Sequence, residues 1–124
     1  MPAMIRAIAV ALALAMGLPI AAQADHTYGA LAVDNEREQR FGIAYSYRSR
    51  DDARSRARRE CGRNCSIVSE FEECIAYAAD ETRGSSVFGW GENRSRRSAE
   101  DRALYECSRH GGRRCVIRGW ACND

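Results

Sequence analysis

Six cysteines carry most of the chemistry open to this chain: Cys61, Cys65, Cys74, Cys107, Cys115 and Cys122. Closely spaced thiols can bind zinc, exchange with other disulfides or form structural bridges. Cys107-Ser108-Arg109-His110 reads C-x-x-H, and Cys61-x-x-x-Cys65 is a second close pair, so two ligand pairs for a zinc ion can be drawn. A redox C-x-x-C is absent. Acid–base chemistry has fewer candidates. The histidines outside the first residues are His26 and His110, and adjacent acids stand at Asp51-Asp52, Glu72-Glu73 and Glu100-Asp101. Adjacent acids on a helix point in different directions, and the first and last pairs read as charges of a helix's first turn. Glu72-Glu73, beside Phe71 and Cys74, remains the acid pair with catalytic potential. G-x-S-x-G, H-E-x-x-H and phosphate-loop motifs are absent. No residue is assigned a catalytic role, and no metal or cofactor is expected.

The compartment decides which thiol chemistry applies. Arg6, the apolar run Ala7 to Leu18 and the A-x-A site Ala22-Gln23-Ala24 form the layout of a secretory signal peptide over residues 1–24. The run falls short of the roughly 20 apolar residues of a membrane-crossing helix, so no membrane span is expected after signal cleavage. The expected location is secreted or periplasmic. Oxidising conditions there favour three disulfides over zinc. Residues 25–124 then make a single small domain with a modest core. The full chain's 19 basic residues are all arginine, against 17 acids, for a formal net charge of +2, and setting Arg6 aside leaves the domain almost neutral. So even a balance supplies no global field for nucleic acid or an anionic membrane, and neither is expected as a partner.

The elements that position these groups come from a sequence written twice. One constant offset aligns Ala53, Ala57, Glu60 and Cys61 with Ala99, Ala103, Glu106 and Cys107, and Ala32-Val33-Asp34 with Ala78-Ala79-Asp80. Slightly larger offsets align Phe41-Gly42 with Phe88-Gly89, Cys65 with Cys115, Phe71 with Trp120 and Cys74 with Cys122. The repeats run over about 26–72 and 74–123. Each opens with two short aromatic or β-branched runs bounded by polar residues, which predicts a hairpin: Tyr28–Asp34 with Phe41–Tyr47, and Cys74–Asp80 with Val87–Gly91. Ser49 and Ser95 are in position to cap a helix, with Ala-Ala-Cys stripes at i, i+4 and i+8. Final strands follow at Cys65–Phe71 and Cys115–Cys122. The fold class expected is α+β: a duplicated ββαβ unit with pseudo-twofold symmetry, its mainly antiparallel sheet of six strands carrying both helices on one face. The bulky face of each second strand is expected against the alanine face of a helix.

Symmetry narrows the 15 pairings that six cysteines allow. Cys61–Cys65 and Cys107–Cys115 are equivalent ties between a helix end and the next strand. Cys74–Cys122 is then expected to bridge the two copies. A rival scheme crosses copies at every bridge, against the closeness of Cys61 to Cys65.

The surface offers two arginine runs, Arg54, Arg56, Arg58 and Arg59 on the first helix, and Arg96 with Arg97 on the second. Together with Trp90, on a strand with one glycine-bare face, they are the candidate binding surface for a protein or an acidic ligand. Solvated, self-paired helix faces are the plainer reading of the same residues.

The set of motifs "YGALAVD", "FGIAYSY", "CIAYAAD", "FGWG" and the closing "GWACN" resembles the small exported bacterial family known as domain of unknown function 4189, across Tyr28–Asn123. Phe88–Gly91 and Trp120–Asn123 are its most specific parts. The short Cys61–Cys65 turn and a first helix without leucine depart from it. The resemblance implies an exported domain with no assigned activity, acting toward a host or neighbouring cell, and it brings no catalytic residues. A secreted or periplasmic, non-enzymatic binding domain is the function expected. The alternative is a small cell-wall or glycan-acting hydrolase using Glu72, Glu73 or His110.

Overall fold

The computed structural model describes residues 26–124; the signal-peptide reading of residues 1–24 lies outside the described residues. The order of elements is β1 (Tyr28–Asp34), β2 (Phe41–Tyr47), α1 (Arg50–Cys61), β3 (Cys65–Phe71), β4 (Cys74–Asp80), β5 (Phe88–Asn93), α2 (Arg96–Arg109) and β6 (Cys115–Cys122). Each half is thus a ββαβ unit, and the α+β class holds. Among the described residues no helix is long and apolar enough to cross a membrane.

Local sequence explains where the helices stop and start. The Ser49 hydroxyl accepts from the Asp52 N–H, acids occupy the first turn of α1, and Arg58 and Arg59 occupy its last turn. That arrangement satisfies an orphan donor and complements the helix dipole. Gly62 ends α1 at φ 105°, in the region that glycine enters without a Cβ penalty. Ser95 caps α2 in the same way through the Ser98 N–H.

The layering differs from a single six-stranded sheet with both helices on one side. Two antiparallel sheets form, in the orders β2-β1-β3 and β5-β4-β6. They stack face to face, and each carries its own helix on its outer face. The central core joins Leu31, Val33 and Phe71 of the first sheet to Ile75, Tyr77 and Ala121 of the second. Side chains of that size contribute about 1.5–3 kcal/mol each when fully buried. Phe41 stacks on Tyr77 with ring centroids 4.4 Å apart, and Tyr77 on Phe88 at 5.8 Å. The bulky strand faces therefore meet each other, where a gap of about 10 Å between sheets needs filling.

The small faces meet the helices, the reverse of the large-against-small packing expected. Ala30, Ala32 and Ala44 pack on Ala53, Ala57 and Cys61; Ala76 and Ala78 pack on Ala99, Ala103 and Cys107. The thin alanine stripes suffice because strand and helix backbones nearly touch. A Cβ on Gly91 would lie 2.5 Å from the Arg102 Cβ and 2.6 Å from the Ala99 carbonyl. The first strand of each half, covered on both faces, is buried along almost its whole length.

The disulfides are Cys61–Cys65, Cys74–Cys122 and Cys107–Cys115. Cys74 and Cys122 are direct partners on β4 and β6, so this bridge closes the second sheet and does not join the halves. The register corrects the alignment that suggested otherwise. Gly29 faces Phe71 as Ile75 faces Ala121, so Phe71 corresponds to Ala121 rather than Trp120. Tyr28 and Glu72 then stand where the second half has its two cysteines.

Polar locks join the halves instead. The Gln39 side-chain amide donates to the carbonyls of Asp80 (3.0 Å) and Val87 (2.8 Å), while the Tyr77 hydroxyl donates to the Gln39 carbonyl at 3.1 Å. At the other end, the Asn123 side chain donates to the Phe71 carbonyl at 2.9 Å and accepts the Ser46 N–H at 2.7 Å.

Candidate functional site

The charged groups singled out from sequence do not assemble into one surface. With the two helices on opposite outer faces, the arginines of α1 are separated from those of α2 by both sheets. Arg54 pairs with Asp51 and, at 3.2 Å, with Glu70; Arg56 pairs with Glu60 at 2.9 Å. Arg58 and Arg59 make no ion pair among the described residues. Arg96 pairs with Glu100 at 3.0 Å and lies over the Trp120 ring at 3.9 Å, and Arg97 makes no ion pair among the described residues. Each run is thus partly neutralised by its own helix.

The acid–base candidates are also apart. Glu72 and Glu73 sit in the exposed turn between β3 and β4, beside His26, Thr27 and Asp124, and Glu72 faces Arg50 at 3.6 Å. His110 is elsewhere, at the end of α2. All the cysteines of the drawn zinc set are bonded, Cys107 to Cys115 and Cys61 to Cys65, which removes their thiolates as ligands. The carboxylates of Asp34, Glu36 and Glu38 converge, but on the Arg40 guanidinium, at 2.9, 4.0 and 3.4 Å.

Asp34 and Asp80 end β1 and β4 as equivalent corner residues. Burial raises the Asp34 carboxyl, yet the Glu36 N–H, the Arg40 guanidinium and the Glu38 N–H outweigh it and hold it below the usual carboxylate range. For Asp80, burial is likewise outweighed, by the Ser85 hydroxyl and by donors from Arg114 and Thr82. Both hold loops in place.

Trp90 lines a groove of about 780 Å³ running along β5, within the usual size range of binding sites. One wall is the consecutive stretch Ser86 to Asn93; the other is Arg102, Glu106, Arg109 and His110 of α2. The elements explain the shape. Gly89 and Gly91 draw β5 under α2, so the side chains of α2 overhang the strand's edge. Phe88 and Trp90 turn to the opposite face, half-buried, with ring centroids 6.1 Å apart. Among the described residues β5 bonds only to β4, and its register runs without a bulge from Cys74↔Asn93 to Ala79↔Phe88. The groove therefore exposes a regular strand edge.

The overhanging wall is electrostatically tied together. Glu106 accepts from Arg109 at 2.9 Å and from Arg102 at 3.0 Å. The Arg109 hydrogen bond holds its carboxyl below the usual range, against burial and with help from the charges of Arg109, Arg102 and His110. His110 Nδ1 lies 2.7 Å from the Glu106 carbonyl; since a carbonyl only accepts, Nδ1 carries the proton in that contact. Sequence reasoning singled out Trp90 and His110 and missed Arg102, Glu106 and Arg109, because it weighed arginine density. The offset that aligned the two helices also carries Arg56, Glu60 and Arg63 onto Arg102, Glu106 and Arg109, and that signal was available.

A family model described as Domain of unknown function (DUF4189) matches residues 28–122, and the chain belongs to that family. No curated protein and no solved structure matches it.

Proposed function

We propose that this chain is a secreted or periplasmic binding domain that holds a polypeptide partner in the groove between β5 and α2, and that it does so without catalysing a reaction. The observation that carries this reading is the unpaired, bulge-free edge of β5 exposed beneath a charged helix wall. Three disulfides in so small a chain fit folding in an oxidising compartment, and they hold the groove's elements rigid: Cys107–Cys115 ties α2 to β6, and Cys74–Cys122 ties β6 to β4. Rigid presentation lowers the entropy cost of binding. The hydrolase reading has less support. His110 lines the groove while Glu72 and Glu73 line a separate depression, so the three do not converge on one bond.

Site-specific photocrosslinkers placed at Glu92 and Arg109, and separately at Arg58 and Arg59, test the location in cells that export the protein. Adducts from the groove positions, mapping to one partner segment, are the expected result. Adducts confined to the α1 positions overturn it.

A further inference from the structure

The shape of the groove constrains what fills it, and this inference rests on the binding reading above. We infer that the occupant is an extended peptide that pairs with β5 as a fourth strand of the second sheet and alternates apolar with acidic residues. A regular strand edge with free backbone groups is a template for another strand. The side chains of a strand added there alternate between the two faces of the sheet. One set falls in line with Phe88 and Trp90 and covers their half-buried rings, which calls for apolar residues. The other set falls in line with Gly89 and Gly91, under the overhang of α2. There two arginines, Arg102 and Arg109, flank one carboxylate, Glu106. The row carries a net positive charge, with the His110 ring beside it, which calls for acidic residues. Glu92, in line with Trp90, accepts the Ser69 hydroxyl at 2.6 Å and excludes an acid from the apolar face at that end. Backbone pairing supplies affinity, and the two unlike walls supply register, since a slip of one residue would exchange the faces.

Fluorescence anisotropy with labelled synthetic peptides tests this on the disulfide-bonded chain. The probes are an alternating Val-Glu decapeptide, a decapeptide of the same composition in two blocks, and an alternating Val-Lys decapeptide. The alternating acidic peptide is expected to bind about tenfold tighter than either comparator. N-methylation of alternate residues is expected to abolish binding in one register and to leave it nearly unchanged in the other, because only one set of amides meets β5. The double variant Arg102→Glu with Arg109→Glu, at exposed positions, is expected to invert the preference toward Val-Lys. Equal affinity for alternating and blocked peptides, or indifference to N-methylation in both registers, overturns strand addition. Crosslinks from Glu92 and Arg109 to a partner would still uphold the groove as a binding site. A dimer sealed through β5, seen by sedimentation and lost in Trp90→Lys, also overturns the inference, because a second copy then occupies the edge.

Discussion

The β2–α1 edge and the β5–α2 edge are built alike and end differently. Both have a serine-capped helix, an Ala-Ala-Cys stripe and a strand drawn against the helix backbone by glycine. Both also set an Arg–Glu pair beside the strand, Arg56–Glu60 in one and Arg102–Glu106 in the other. The first half blunts its edge where β2 ends. Ser46 adopts φ 62°, the pairing of β2 with β1 is bulged nearby, and the Ser46 N–H is taken by Asn123. Asp124 adds a further bond to the Ser46 hydroxyl. The recess left there is about 350 Å³, against about 780 Å³ beside β5. Bulges and coverings are the usual means of blunting a strand edge. Here Asn123 and Asp124 cover the end of β2, whereas β5 has no such cover among the described residues, which is why the β5 edge is read as the site.

The largest test of the contrast is the bridge that only the second half has. Cys74–Cys122 closes a loop of sequence separation 48. Its removal in Cys74→Ala with Cys122→Ala is expected to lower stability by about 4 kcal/mol on the loop-entropy estimate. Removing Cys61–Cys65, with separation 4, is expected to cost about 2 kcal/mol on the same basis. Urea unfolding followed by tryptophan fluorescence reads both. Equal losses would mean that the second sheet does not depend on its bridge, and that the halves are more alike than their covalent links suggest.

Gly91→Ala comes next. Its counterpart by register is Ala44, since Ala30 faces Ala44 as Ala76 faces Gly91. The first half thus accommodates a methyl group where the second does not. In the second half that group would press on the Arg102 Cβ and the Ala99 carbonyl. Forced overpacking of this kind costs about 1–3 kcal/mol, and it should lift α2 from β5 and widen the groove. A neutral Gly91→Ala by thermal melting would show that α2 has slack and that the close approach is not what shapes the site.

Much of this architecture was legible in the chain. The helices begin after the serines that were expected to cap them, and their buried positions are the expected alanines and cysteines. The strands fall where short apolar runs predicted them, with β5 shifted to Phe88–Asn93 from the expected Val87–Gly91. The layering was not legible. Whether β3 pairs with β1 alone or also joins the other half is decided by long-range packing, and the alternation in Phe41-Gly42-Ile43-Ala44 shows two faces without showing what each meets. Bulky side chains fill a gap between sheets as readily as one under a helix. The groove was half legible. Trp90 could be picked out as an aromatic on a strand with a bare face, whereas Glu106 and Arg109 acquire a role only when α2 is laid over β5.

Asn123→Ala attacks the closed edge directly. It removes the acceptor of the Ser46 N–H and the donor to the Phe71 carbonyl. Losing a hydrogen bond costs about 1 kcal/mol, and more where a partner is left buried without water, so a loss of about 1.5 kcal/mol is expected. The second consequence is the sharper one: with the β2 edge freed, the variant should bind a second strand-forming peptide. A stoichiometry by calorimetry that stays at the parent value would show that the Ser46 bulge alone keeps that edge closed.

The smallest effect concerns Tyr77, which stands where the first half has Leu31 and is fully buried. Its hydroxyl is the feature that a leucine lacks, and its bond to the Gln39 carbonyl locks one half to the other. Tyr77→Phe keeps the ring stacked between Phe41 and Phe88 and is expected to cost about 1 kcal/mol at pH 8. Burial pushes the Tyr77 hydroxyl up to about 12, from about 10 in an unfolded chain. The folded state therefore holds this proton more tightly than the unfolded state. The stability it supplies is whole below pH 10 and falls away as pH rises toward 12. The phenylalanine variant has no such proton to lose, so the gap between the two proteins should close above pH 10 and reverse before pH 12. Parallel stability curves across that window would mean that the Tyr77 hydroxyl ionises as freely in the folded protein as in the unfolded chain, and that the lock between the halves is open to water.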